Sequence, residues 1–126
     1  MKGHVLVVED NPANRELLCD WLESEGYRVS VATTLAEAKA SFVDPLPEIV
    51  LLDVQLGAED GLCLLSWMRN ERRHERIPVI AVTAHAISAE QTRIQQAGCD
   101  ACVPKPIDFK VLAAQLNVWM ARPTTK

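Results

Sequence analysis

Ile49-Val50-Leu51-Leu52-Asp53 decides the fold: four apolar residues in succession, β-branched at the start, closed by a carboxylate. A half-buried strand alternates apolar with polar residues. This run does not, and so it suits a strand covered on both faces, as in a parallel sheet. His4 to Val8 and Ile77 to Thr83 read the same way, and weaker strands fit Arg28 to Ala32 and Ala101 to Val103. Between the runs lie helix signals. Asn11 followed by Pro12 is a cap with proline at the first helical position, and the Leu17, Leu18, Trp21, Leu22 stripe runs on to Gly26, which closes the helix. Thr34 with Glu37, and Ser88 with Gln91, have capping-box spacing, and Gly98 ends the second of these helices. A last helix fits Asp108 to about Met120, with Leu112, Leu116 and Trp119 on one face. Five strands alternating with five helices predict an α/β domain: a five-stranded parallel sheet, helices on both faces, right-handed crossovers.

The 126 residues are of single-domain length, enough to bury roughly two thirds of the unfolded surface in one core. With 48% hydrophobic and 24% charged residues the composition is globular, and only the tail from 121 to 126 is expected to be loose. Thirteen basic against 17 acidic side chains give −4, with no basic stripe for a phosphate backbone, so direct DNA binding is not expected. The start, Met1-Lys2-Gly3-His4, runs straight into strand pattern instead of a signal-peptide core, and no apolar run reaches membrane-span length; a cytoplasmic location follows as the expectation. Cys19, Cys63, Cys99 and Cys102 are expected as reduced thiols.

Polar residues collect where the apolar runs stop. Glu9 and Asp10 lie just past the first strand, Asp53 ends the third, Thr83 ends the fourth and Lys105 follows the fifth. All fall at carboxyl ends of strands, the edge on which open α/β sheets bind ligands; in the order 2-1-3-4-5 the first and third strands flank the switch point. Three carboxylates brought together repel, which raises a pKa or recruits a cation, and an all-oxygen set favours a hard ion such as Mg²⁺. A lysine pairs with added negative charge and a threonine hydroxyl hydrogen-bonds it. That describes a phosphoryl site without a nucleotide loop.

Blander readings exist for each residue. Glu9 and Asp10 before Asn11-Pro12 suit a helix start, and Thr83 in isolation merely ends a strand; neither explains a third acid at Asp53. Lys105 stands between Pro104 and Pro106, which stiffen the backbone that presents it. Asp60-Gly61 reads as turn and helix-start chemistry, Asp100 and Asp108 as turn and cap, and Trp21, Trp67 and Trp119 as core or partial core. The run from Arg69 to Arg76 mixes signs and reads as a solvated loop, while His4 and His74 carry no signal. Cys99 and Cys102 form a CxxC, but Val103-Pro104-Lys105-Pro106 cannot continue as the helix a redox pair uses, and a second pair for zinc is lacking. In an extended segment their three-residue separation puts them on opposite faces, so they are not expected to be partners.

Glu9-Asp10, Asp53 after its apolar run, Asp60-Gly61, Thr83-Ala84 and Lys105-Pro106, in this order and at this spacing, resemble the receiver domain of bacterial two-component response regulators. The resemblance spans about residues 4 to 120 and fits a stand-alone single-domain regulator. It implies the flavodoxin-like receiver fold. It implies further that Asp53 takes a phosphoryl group from the phosphohistidine of a histidine kinase or histidine phosphotransfer protein, with later autodephosphorylation. Mg²⁺, with Mn²⁺ as a substitute, would be bound by Asp10 directly, Glu9 through water, Asp53 and the backbone carbonyl of Gln55. Lys105 would pair with the phosphoryl group, Thr83 would move to it, and the altered surface would bind a downstream target; a monomer or weak dimer is expected, with no membrane insertion. Two features depart from the family: Cys102 where an aromatic ring is usual, and Leu56-Gly57 where Met-Pro is common. His85, two residues after Thr83, would edge the expected site, though a solvent-facing loop residue is the preferred reading. Alternatives are a phosphorelay intermediate or a hybrid-kinase receiver, which Lys105-Pro106-Ile107-Asp108 also resembles, and a Mg²⁺-dependent aspartyl phosphohydrolase. The last wants an acid where Gln55 stands.

Overall fold

The structure is a computed structural model that describes residues 2–84 and 88–120. In chain order the elements are β1 (His4–Val8), α1 (Pro12–Ser24), β2 (Arg28–Ala32), α2 (Leu35–Ala40), β3 (Ile49–Asp53), β4 (Gln55–Leu56), β5 (Glu59–Asp60), α3 (Cys63–Arg69), β6 (Val79–Thr83), α4 (Ser88–Ala97), β7 (Ala101–Pro104) and α5 (Phe109–Met120). Five strands form a parallel sheet in the order β2-β1-β3-β6-β7. This is the predicted order; the labels differ because β4 and β5 make a small antiparallel hairpin that the sequence did not announce. Its turn is Gly57-Ala58, and Gly57, at φ +57°, takes the positive-φ first position a two-residue hairpin needs.

All residues of β1, β3 and β6 are buried. Alternate side chains feed two cores. Leu6, Val8, Val50, Leu52, Val79 and Ala81 face Ala38 of α2, Leu64, Leu65 and Met68 of α3 and Ile94 of α4. Val5, Val7, Ile49, Leu51, Ile80 and Val103 face Leu18 and Leu22 of α1 and Leu112 and Leu116 of α5. Burying so many branched side chains at about 1.5–3 kcal/mol each is what fixes the three strands.

The helix ends follow the sequence. Asn11 caps α1 by accepting from the Asn14 N–H at 3.0 Å, and Gly26 closes it at φ +95°. Thr34 accepts from the Glu37 N–H at 3.1 Å, but Glu37 reaches back to Thr33 instead of Thr34, taking its N–H and hydroxyl at 2.7 Å. Asp108 accepts from the Lys110 N–H at 2.9 Å, as a cap should. The side chain of Ser88 and the tail from 121 to 126 lie outside the described residues.

Four expectations need correction. Leu17, placed on the apolar stripe of α1, is 56% exposed, because it lies off the Leu18–Leu22 row that meets the sheet; Trp21 is half-buried and stacks on Phe109 at 4.9 Å. The stretch from Arg69 to Arg76 is solvated only in part. Arg69 donates to the carbonyls of Glu75, Ile77 and Gly98 at 2.8, 2.8 and 2.9 Å, and His74 is buried against Trp67 with ring centroids 4.6 Å apart. Asp100 is more than a turn residue: its carboxylate takes the Val79 N–H at 2.8 Å and pairs with Arg69 at 3.2 Å. Cys99 and Cys102 do not face opposite ways. Both pack against the core shared by α2, α3 and α4, since strand alternation begins only at Ala101, after the bend at Asp100. Both are free thiols.

Candidate functional site

The carboxyl ends of β1, β3, β6 and β7 surround a cleft of about 570 Å³ lined by Asp10, Asp53, Gln55, Thr83 and Lys105, with Asp60, Glu90 and Arg93 on its outer side. Each strand delivers its polar residue at the point where its apolar run ends. Glu9 and Asp53 are buried, 2% and 6% exposed, yet both are acids. Glu9, Asp10 and Asp53 each bring one carboxylate oxygen within 4.8 Å of the others.

One ammonium answers two of these acids. Lys105 Nζ donates to Asp53 Oδ2 at 3.1 Å and lies 3.4 Å from Glu9 Oε1. Its backbone N–H is tied to the Thr83 carbonyl at 2.8 Å, which fixes where the side chain starts. Burial works against the charge on Lys105, but the hydrogen bond and charges of Asp53 and Glu9 more than offset it, so its pKa stands above the ordinary lysine value. Glu9 is pushed up to about 7, first by burial and then by its hydrogen bond with Asp53, although the Asn11 N–H, at 3.1 Å, and Lys105 act in the other direction. Asp53 Oδ1 accepts the Gln55 N–H at 3.2 Å. Thr83 is 2% exposed at the end of β6.

The loop after Asp53 is shaped by contact. Gly61 gives its N–H to the Val54 carbonyl at 2.6 Å, and a Cβ on Gly61 would overlap the Asp53 carbonyl oxygen. Asp60 plays the turn part expected of it, accepting the Leu62 N–H at 3.0 Å, but it does not cap α3, whose cap residue Leu62 has no side-chain bond; Asp60 pairs in addition with Arg93 at 2.9 Å. Nothing in the sequence pattern pointed to Arg93 or Glu90 at the cleft. They stand on a polar helix remote in the chain, and no spacing rule ties them to Asp53. The structure brings Glu9, Asp10, Asp53, Gln55, Thr83 and Lys105 to one place; His85 lies outside the described residues.

The donor set fits a divalent cation of the hard kind. It is all oxygen and carries three carboxylates against one lysine. A doubly wound parallel sheet with this acid cluster and lysine at its switch point defines a class of proteins, and the comparison with known families names it. The chain belongs to the response regulator receiver domain family, whose profile matches residues 5–117. It is 37% identical over 107 residues to the polar-differentiation response regulator DivK of Brucella ovis, covering 85% of this chain and 87% of that protein. Among solved structures, it resembles the receiver domain of a sensor histidine kinase from Pseudomonas aeruginosa, which carries a magnesium ion coordinated in its active-site cleft. The TM-score is 0.86 and the identity 29%, over 95% of this chain and 98% of that one. The non-phosphorylated HemR receiver domain of Leptospira biflexa matches at a TM-score of 0.86 and 27% identity, over 98% of both chains. Among the described residues, no helix is long and apolar enough to cross a membrane.

Proposed function

We propose that Asp53 is the phosphoacceptor of this receiver and that the protein is a phosphorylation-controlled regulator. One observation carries the reading: Lys105 stands between Asp53 and Glu9 at the open edge of the sheet, so that the acid with a cation already in place is also one whose Oδ atoms border the cleft. An Asp53 oxygen attacks the phosphorus of a phosphohistidine; the O–P bond forms, the N–P bond breaks, and the ring leaves as neutral imidazole, its other nitrogen keeping the proton it already carried. Lys105 holds the acceptor carboxylate in position and offsets the charge that arrives, and Thr83 is near enough to the cleft to hydrogen-bond a phosphoryl oxygen.

Receivers of this family exchange phosphoryl groups with histidine kinases or phosphotransfer proteins and act on downstream targets. A divalent-cation site is supported by the acid cluster and by the magnesium ion of the Pseudomonas receiver. Here Glu9, Asp10, Asp53 and the Gln55 carbonyl would hold Mg²⁺, which when bound supplies positive charge to the transferring oxygens. Identity to the Brucella regulator is higher than to the kinase receiver, which favours a regulator over a hybrid-kinase domain.

The test is intact-mass analysis after incubation with Mg²⁺ and acetyl phosphate. Wild type is expected to gain one acid-stable, base-labile phosphoryl group and Asp53→Asn none. Equal labelling of the two would overturn the assignment.

A further inference from the structure

Helix α4 is fastened across the cleft to the loop that follows Asp53. Arg93 Nη1 donates to Asp60 Oδ2 at 2.9 Å, while Nη2 and Nε donate to Glu90 Oε2 and Oε1 at 3.2 and 3.4 Å. Asp60 ends the β4–β5 hairpin, and Gly61 after it is pressed onto the Asp53 carbonyl oxygen. The anchor of the strap is therefore one residue from backbone contact with Asp53. Asp60, Glu90 and Arg93 line the same cleft as Asp53, Thr83 and Lys105.

Charge decides what such a strap does. The acids lining the cleft are Asp10, Asp53, Glu59, Asp60 and Glu90, and the cations lining it are Lys105 and Arg93. Lys105 is already committed to Asp53 and Glu9. Arg93 holds Asp60 through side chains 47% and 46% exposed, a solvated pair of the kind that contributes little. Phosphorylation turns the Asp53 carboxylate, of charge −1, into an acyl phosphate of about −2, a net gain of roughly one negative charge, and adds three acceptor oxygens. A guanidinium takes phosphate oxygens two at a time, in bonds roughly twice as strong as neutral ones. In a contest for one cation, the dianion inside the cleft outbids the exposed carboxylate at its lip.

We propose that Arg93 is a charge-responsive strap: negative charge added at Asp53 draws its guanidinium off Asp60, and because Arg93 stands on α4, the exchange of partners releases α4 from the Asp53 loop. The proposal rests on the reading of Asp53 as phosphoacceptor. It assigns Arg93 a positioning role, passing the state of Asp53 to the outer face of α4.

The experiment follows backbone amide shifts of α4, residues 89–97, before and after acetyl phosphate and Mg²⁺, with the labelled fraction read by intact mass in the same sample. In wild type the α4 amides shift on labelling. In Arg93→Gln the α4 response per labelled molecule falls at least about threefold, and Arg93→Lys, which keeps the charge but not the fork, is intermediate. Asp60→Asn keeps an Oδ1 acceptor for the Leu62 N–H but discharges the anchor. In this variant the α4 amides of the unlabelled protein move toward the labelled wild-type positions. A full α4 response in labelled Arg93→Gln, or unmoved α4 amides in Asp60→Asn, overturns the strap and leaves the phosphoacceptor intact. Wild type that takes no label at Asp53 brings down both.

Discussion

Lys105 Nζ stands 3.1 Å from Asp53 Oδ2, and the same ammonium reaches Glu9 Oε1 at 3.4 Å. Removing it leaves two buried acids facing each other without a cation. Lys105→Met is therefore expected to lose roughly 1–3 kcal/mol of stability at pH 8, and less at pH 6, where Glu9 holds its proton. Labelling by acetyl phosphate should slow by about tenfold or more, since the positive partner of the incoming group is gone. Urea unfolding at the two pH values and a labelling time course read both effects. Unchanged labelling would remove Lys105 from the site chemistry.

Glu9 supplies a pH dependence whose sign is fixed. Its folded pKa is raised from 4.5 to about 7, chiefly by burial, so the folded chain binds this proton more tightly than the unfolded chain. The stability it contributes is full below about 4.5 and is lost as pH rises through 7, a swing of the order of 1–3 kcal/mol. Metal-free protein unfolded in urea at pH 5, 6, 7 and 8 should show this decline, and Glu9→Gln should flatten it. A divalent cation must displace the same proton, so its affinity should climb between pH 6 and 8. Identical profiles for wild type and Glu9→Gln would refute the assignment.

Asp100 and Val79 exchange two hydrogen bonds: the Asp100 N–H to the Val79 carbonyl at 2.9 Å, and the Val79 N–H to Asp100 Oδ2 at 2.8 Å. The side chain stands in for a strand carbonyl at the edge where β6 meets β7. Asp100→Ala strands the N–H of a fully buried residue and should cost about 1–3 kcal/mol. Asp100→Asn keeps the acceptor, loses only the charge that faces Arg69, and should cost less. Equal urea midpoints for Ala, Asn and wild type would contradict the bond.

Much of this was legible because it was written in strong local signals. Ile49 to Leu52 is apolar without alternation, and burial on both faces is the arrangement that accepts it. Asn11-Pro12 and Gly26 bound a helix by backbone chemistry alone. The site acids and Lys105 declared themselves by ending those same strands. What could not be read was tertiary. Arg69 finds Asp100 across 31 residues and Arg93 finds Asp60 across 33, and charge runs look solvated until the partner's position is known. His74 is buried by Trp67 of α3 and Phe42 of the loop after α2, and no periodicity in its own loop reports that. Cys99 escapes the alternation rule because it lies two residues before the strand begins at Ala101.

The thiols offer a simple check on that last point. Cys63 is exposed, whereas Cys99 is partly buried against the core and pushed up to about 12, mainly by burial. A thiol reagent at pH 8 should modify one cysteine quickly and Cys99 last, and Cys63→Ser should remove the fast phase. If Cys99 reacts first, its packing is not as described.

Gly61 and Gly57 give a paired test of the loop after Asp53. At Gly57 an added Cβ would lie 3.4 Å from Asp10 Oδ2, within ordinary contact, so Gly57→Ala bears mainly the cost of a side chain at φ +57°, about 1–2 kcal/mol. At Gly61 the difficulty is space: a Cβ would overlap the Asp53 carbonyl oxygen and sit 2.9 Å from that of Val54. Neither carbonyl can retreat freely, because Asp53 ends a central strand and the Val54 N–H is bonded to Val82 at 3.1 Å. Gly61→Ala must instead push the loop outward. That displaces Asp60, with its bonds to Leu62 and Arg93, and it should cost roughly 1–3 kcal/mol by overpacking plus the loss of those bonds. The expected order of urea midpoints is wild type above Gly57→Ala above Gly61→Ala. The α4 amides should shift in Gly61→Ala and stay in place in Gly57→Ala. Were Gly61→Ala as stable as Gly57→Ala and silent on α4, the loop would not be seated on Asp53 at all, and the route from that residue to Arg93 would be lost with it.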